Sequence, residues 1–297
     1  MKEKDSSEKT LVAWNDVFAD IYNVLVFKGK QVICPKSLHD TKLKSPYKAD
    51  DDMLHEMERD TSKQWKGLNM NILFGIENQT EPDKDMPFRI MGYDAASYRS
   101  QLLNKENKLR YPVITIVLNF GNTPWHYPRN LKNCLIPALA EYPEAETLRN
   151  YVQDYQIHVF DIPKLTQEQV SLFQSDFRIV ADYFVNSRNN KDYTPSKEIV
   201  YHVDEFLKLM KVLTKDSRYE EVGKSFSEEE KRGGLSMCEL IDRYENRGLE
   251  KGLEKGLAAL VRSLKEFVAD ADELYRAVIK NEEYKNVTKS QIEQYMQ

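Results

Sequence analysis

Glu77 and Gln79 stand two residues apart in NILFGIENQT, Asn71 to Thr80, where the apolar run Ile72, Leu73, Phe74 and Ile76 comes to an end. A run this short, bounded by polar residues and holding one glycine, predicts a buried strand rather than a helix. Residues i and i+2 of a strand share a face, so the Glu77 carboxylate and the Gln79 amide project together from the strand's end. That pairing suits a site for a metal ion and a water; the plainer alternative is a polar cap on a surface turn. Asp16 and Asp20, four apart in NDVFADIYNVL, share a helical face where like charges repel unless something positive lies between them. A solvated helix face explains them more simply. Arg59-Asp60, within MLHEMERDTSKQWK, reads by itself as a solvated surface pair.

The elements that must position these side chains follow from periodicity. Val17, Ile21, Val24 and Leu25 give Trp14 to Phe27 one apolar helical face. Gln31 to Asp52 is polar, is broken by Pro35 and Pro46, and is expected to be a loop. Met53 to Lys66 carries a weak helical pattern in Met53, Met57, Gln64 and Trp65, its end readable as strand. After the strand Met70 to Ile76, a helix is expected over Met86 to Leu103 on Met91, Ala95, Tyr98 and Leu102. PVITIVLNF, Pro112 to Phe120, has the β-branched composition of a central strand, and Ile157 to Ile162 is a third strand. The expected fold class is α/β, a small mixed sheet flanked by helices.

From Thr166 onward the chain reads as helical. Thr166 with Gln169 forms a capping box before the stripe Val170, Phe173, Phe177, Val180 and Phe184. Ser196 is expected to cap a helix that buries Ile199, Val203, Phe206, Met210 and Leu213. Lys215 to Gly234 reads as a linker. At 247–257, Gly248, Gly252 and Gly256 recur every fourth residue, each costing a helix about 0.5–1 kcal/mol relative to alanine. The repeat fits either a helix closely approached by another or a mobile connector, and Lys251 with Glu254 supports helix. Ser263 to Gln297 reads as a helix pair joined near 281–286.

Composition limits what the chain does. With 41% apolar residues, 31% charged residues and a net charge of −5 in 297 residues, it is hydrophilic and has no uniformly basic coat, although a local basic cleft is compatible with that total. Cys34, Cys134 and Cys238 are scattered, so neither a disulfide framework nor a structural zinc site is expected. The five histidines form no H-x-x-x-H pair. MKEKDSSEKT has no apolar core, no run approaches the ~18–20 residues of a membrane span, and the expected location is the cytoplasm.

NDVFADIYNVLVF at 15–27, ERD at 58–60, GIENQT at 75–80 and MPFRIMGYDAASYRSQL at 86–102 fall in the order and spacing of a known family. In them the chain resembles the Rpn family, the recombination-promoting nucleases also described as putative YhgA-like transposases. FQSDFRIVADYFV at 173–185 and the glycine repeat resemble the same proteins downstream. That family is similar to the PD-(D/E)xK nucleases, whose restriction-endonuclease-like fold is a small mixed sheet between helices. The resemblance implies that Asp60 and Glu77 hold Mg²⁺ or another divalent cation. It gives Gln79, in place of the usual lysine, the task of orienting the attacking water by hydrogen bonding without positive charge. Asp16, with Asp20 as its competitor, matches the acid of the first helix. The implied catalytic set is therefore Asp60, Glu77, Gln79 and Asp16. Arg89 and Lys63 are candidate phosphate contacts, against the alternatives of a helix-face pair and a surface salt bridge.

The expected function is that of a Mg²⁺-dependent DNA endonuclease serving recombination or mobile elements. The alternative is a catalytically inactive nuclease fold that binds DNA or protein. The expected organisation is a nuclease-like domain over 1–165, a helical extension packed on it over 166–234, and a helical tail over 235–297 as a candidate homo-oligomer contact.

Overall fold

Val17, Phe18, Ile21 and Tyr22 make one buried stripe of Asn15–Leu25, and this stretch forms helix α1 with that stripe turned inward. The computed structural model describes residues 11–41, 44–48, 54–67, 70–103, 109–139, 142–186, 197–268 and 270–295. Where a loop was expected, the chain forms strands β1 (Leu38–Asp40) and β2 (Lys44–Lys48). The weak helical pattern that follows is instead β3 (Leu54–Glu58) and β4 (Thr61–Lys66). Pairing between strands overrides the local pattern here. β2 and β3 make an antiparallel ribbon in which Lys44 lies opposite Glu58, and a two-stranded edge tolerates Pro46. β4 is held between β1 and β5 (Asn71–Gln79), with Thr61 opposite Ile76 and Lys63 opposite Phe74.

Beyond β5 come α2 (Met86–Leu103), β6 (Val113–Asn119), the short helices α3 (Leu131–Leu139) and α4 (Ala145–Tyr151), and β7 (His158–Asp161). The main sheet has the order β1-β4-β5-β6-β7, antiparallel on the β1–β5 side and parallel from β5 to β7. This is the expected mixed sheet. Ile72, Phe74 and Ile76 share a core with α1. Tyr22 of α1 reaches the sheet's centre, its hydroxyl 2.6 Å from the carbonyl of Gly75 and 2.9 Å from that of Ile114. Strand alternation then turns Glu77 and Gln79 to the opposite face. There α2 lays Met86, Ile90 and Tyr93 over Val117, the register partner of Glu77. The inward stripe of α2 is thus not Met91, Ala95, Tyr98 and Leu102, of which Tyr98 and Leu102 are exposed. It includes buried Asp94 and Gln101, whose polar atoms find partners inside.

The expected capping box at Thr166 starts α5 (Gln167–Ser171), but the aromatic stripe is split, because α6 begins only at Phe177 (Phe177–Asn186). The turn between them is fixed by Asp20, which accepts the backbone N–H groups of Gln174 and Ser175 at 2.8 and 2.7 Å. Ser196 lies outside the described residues; Ile199 and Val200 form β8, and the next helix, α7, starts at Val203 (Val203–Thr214). Lys215 to Gly234 is no linker. It folds as α8 (Arg218–Lys224) and α9 (Glu228–Arg232), and Tyr219, Val222 and Phe226 join the core that contains α1.

β9 (Leu235–Ser236) pairs with β8 and leads into α10 (Met237–Lys265), which contains the glycine repeat within one unbroken helix. Gly256 is where another element approaches: a Cβ there would lie 2.3 Å from the Tyr284 hydroxyl, whereas one at Gly252 would meet nothing within 4 Å. Lys251 bonds Glu221 of α8 at 2.5 Å rather than Glu254. Helices α11 (Ala271–Val278) and α12 (Lys289–Glu293), joined through a 3-10 turn at Glu282–Tyr284, close a separate small core with Leu257 and Val261 of α10. Among the described residues no helix is long and apolar enough to cross a membrane.

Candidate active site

The exit of β5 places Glu77, fully buried, on the face covered by α2. Its Oε1 accepts the backbone N–H of Asp60 at 3.0 Å, and Asp60 Oδ2 in turn accepts the backbone N–H of Asn78 at 2.8 Å. These reciprocal bonds draw the bend before β4 against the end of β5, so two acids 17 residues apart in sequence meet at one sheet rim. The second Glu77 oxygen, Oε2, accepts from Arg89 Nη2 at 3.3 Å, while Arg89 Nη1 donates to Asp83 at 3.0 Å. Burial first, and the neighbouring Asp60 charge second, push the Glu77 carboxyl well above the usual carboxylate range, against the pull of Arg89 and the Asp60 N–H. Asp60 is 7% exposed and the Arg89 side chain 38%, so the pair opens to solvent on the Arg89 side.

A second layer holds this rim in place. Arg59 is buried and forms no surface pair with its neighbour; its Nη2 donates to Asp94 of α2 at 2.7 Å. The same carboxylate accepts Thr115 Oγ1 of β6 at 2.7 Å and the Tyr155 hydroxyl. Arg59 reaches Asp94 by crossing the sheet at Gly75, where a Cβ would come within 2.9 Å of Thr115 Oγ1 and 3.0 Å of Arg59 Cδ. Only glycine leaves room for that crossing. Arg59 and Asp94 escape a sequence reading because each resembles a surface charge. The available signal is Asp94 four residues after Ile90, a charge on an otherwise inward helical stripe.

The other expected residues fall as follows. Gln79, half-buried, ends β5 on the Glu77 face opposite Asn119. Lys63 lies on the α1 face, its Nζ 2.5 Å from Asp40. Asp16 and Asp20 also belong to α1, across the sheet from Glu77. Asp20 serves the turn before α6, and Asp16 Oδ2 meets His202 Nε2 at 3.0 Å, the imidazole stacking on Trp14 at 4.2 Å. The structure therefore brings Asp60 and Glu77 together, sets Gln79 beside them, and keeps Asp16, Asp20 and Lys63 away.

The Asp16–His202 pair gives α1 a pH-dependent tie. Burial disfavours the imidazolium, but the Asp16 hydrogen bond and charge, with Asp176 and Glu205, outweigh it and raise the His202 pKa. Burial also opposes ionisation of Asp16, and His202 outweighs it, lowering the Asp16 pKa. The His202 contribution is present below the ordinary imidazole value of about 6.5 and lost as pH rises through the raised folded value; that of Asp16 is present above about 3.9 and lost as pH falls through the lowered one. The stability lost in Asp16→Asn is thus expected to be largest between about pH 4 and 6.5 and to shrink at alkaline pH. Denaturant midpoints across pH measure it, and a pH-independent loss would contradict the pairing.

Among the described residues no three His, Cys, Asp or Glu side chains cluster as a metal cage. Two carboxylates are nonetheless what a hard ion such as Mg²⁺ uses, since it keeps several waters of its own. Burial first, and the Asp60 charge second, disfavour the Glu77 carboxylate, and a bound cation would offset both. The donor set fits such an ion. Compared with known families, residues 33–213 match the family described as "Putative transposase, YhgA-like". The match includes Asp60, Glu77, Gln79 and Arg89 and leaves out Asp16 and the chain beyond α7. No curated protein and no solved structure matches the chain.

Proposed function

The chain belongs to the YhgA-like putative transposase family, and from that membership together with the Asp60–Glu77 pair we propose that it is a metal-dependent DNA endonuclease. The observation that carries this reading is two buried acids held at one rim of the sheet, Glu77 by the Asp60 N–H and Asp60 by the Asn78 N–H. A divalent ion such as Mg²⁺, held by Asp60 and Glu77, supplies Lewis acidity toward a phosphate and lowers the pKa of a water. The chain's own residues do the rest. The Asn78 and Asp60 N–H groups fix the two carboxylates, so their geometry is set before substrate arrives. Gln79, on the same face, orients the attacking water through its amide. Arg89, at the open side, meets a phosphate with a planar fork of donors. Burial of the Glu77 wall keeps the local dielectric low and these interactions strong.

The test is incubation of the purified full chain with supercoiled plasmid. Nicked or linear product is expected with Mg²⁺ or Mn²⁺ and none with EDTA. Intact plasmid at every ion, from folded protein, would leave the non-cutting DNA- or protein-binding reading in its place.

A further inference from the structure

Arg89 divides its guanidinium between two acids in contrasting surroundings. Nη2 touches fully buried Glu77 at 3.3 Å, and Nη1 touches Asp83, whose side chain is 30% exposed, at 3.0 Å. It gives one donor to each acid rather than a bidentate fork to either, and it also hydrogen-bonds the side chain of Tyr93. The Asp83 end is the firmer one. It is the shorter contact, and Asp83 is itself held in its turn by the Asp85 N–H at 2.9 Å on Oδ1. A carboxylate buried beside another carboxylate needs a positive partner. Arg59, the other guanidinium that acts on Glu77, is committed to Asp94. Glu77 Oε1 is engaged by the Asp60 N–H, and Arg89 sits on Oε2.

We propose that Arg89 is the site's own counter-cation, neutralising Glu77 Oε2 while no divalent ion is bound and pivoting on Asp83 toward the cleft mouth when one is. This rests on the reading of Asp60 and Glu77 as metal ligands. Arg89 then contests the ion's ligand in the resting protein and turns the Nη2 donor released from Glu77 to a phosphate in the loaded one. The side chain that keeps the empty site from carrying unbalanced charge thereby becomes part of substrate recognition only once the metal is in place.

The experiment uses the full chain without DNA. Calorimetric titration with Mg²⁺ is expected to give R89M an affinity about tenfold tighter than wild type, because a competing unit charge close to the ligand is gone. Metal-free R89M is expected to melt lower than wild type and to gain more from added Mg²⁺. In wild-type protein, the Arg89 guanidinium NMR resonances are expected to shift during the Mg²⁺ titration and to saturate with the calorimetric isotherm; this readout needs no variant to fold. Unchanged or weaker binding by R89M, or Arg89 resonances that stay fixed, would overturn the proposal. Glu77→Gln separates the two levels. If it binds Mg²⁺ like wild type, the metal-site reading fails; if it loses binding while R89M is unaltered, only the role of Arg89 fails.

Discussion

Glu77→Gln is expected to lower the rate of metal-dependent plasmid nicking by at least about 10²–10³-fold, the loss typical of deleting one preorganised charge-stabilising group. The amide is isosteric with the carboxyl, and its Oε1 still accepts the Asp60 N–H, so the rim of the sheet keeps its hydrogen bond. What disappears is the negative charge that shares a cation with Asp60. Stability should change in a way that marks the same charge. Because the folded Glu77 pKa is raised, ionising it costs folding energy above that pKa, and wild type gains stability as pH falls from there toward the unfolded value. The amide has no such titration, so the stability difference between the two proteins should slope with pH over that range. Nicking assays and denaturant melts at several pH values measure both effects. A variant that nicks like wild type would remove Glu77 from the chemistry.

Asp94→Ala should cost about 3–5 kcal/mol of stability, the usual consequence of removing one partner of a buried ion pair. Arg59 is left with a guanidinium 4% exposed and no counter-charge, and Thr115 and Tyr155 lose the acceptor they share. The damage reaches the site because Arg59 immediately precedes Asp60, whose backbone N–H orients Glu77. Asp94→Asn, which keeps acceptor oxygen and shape, should lose less. Urea denaturation gives the size of the loss. A cost for Asp94→Ala within about 0.5 kcal/mol of zero, the range of ordinary surface changes, would mean the network does not hold the rim.

Legibility in the sequence tracks how local the causes are. β5 and β6 announce themselves because central strands covered on both faces carry their own apolar runs, and the edge strand β7 is short but keeps the apolar residues of IHVFDI. β1 to β4 do not, because polar residues such as Ser62 and Lys63 become strand only through the strands they pair with, which a periodicity count does not weigh. The inward face of α2 departs from the apolar periodicity for a related reason. Asp94 and Gln101 are buried by virtue of Arg59, Thr115 and the Tyr111 backbone, none of which a periodicity count weighs. In Lys215 to Gly234 the acidic run concealed the apolar signal of Tyr219, Val222 and Phe226, spaced three and four apart. At the site, Glu77 and Gln79 are readable from strand alternation alone. Asp60 came only through family resemblance, since its place beside Glu77 depends on an antiparallel pairing. Asp16 stands out by its spacing from Asp20 but takes a catalytic role only from the resemblance, and the structure sets it against His202.

The most direct measurement is an anomalous-difference map from crystals of the chain soaked in Mn²⁺. The expected result is a single peak at the rim of the sheet, roughly 2.1 Å from one oxygen each of Asp60 and Glu77. A fully soaked crystal with no peak there, or with its peak across the sheet near Asp16 and Asp40, would contradict the assignment of these two acids as the metal centre.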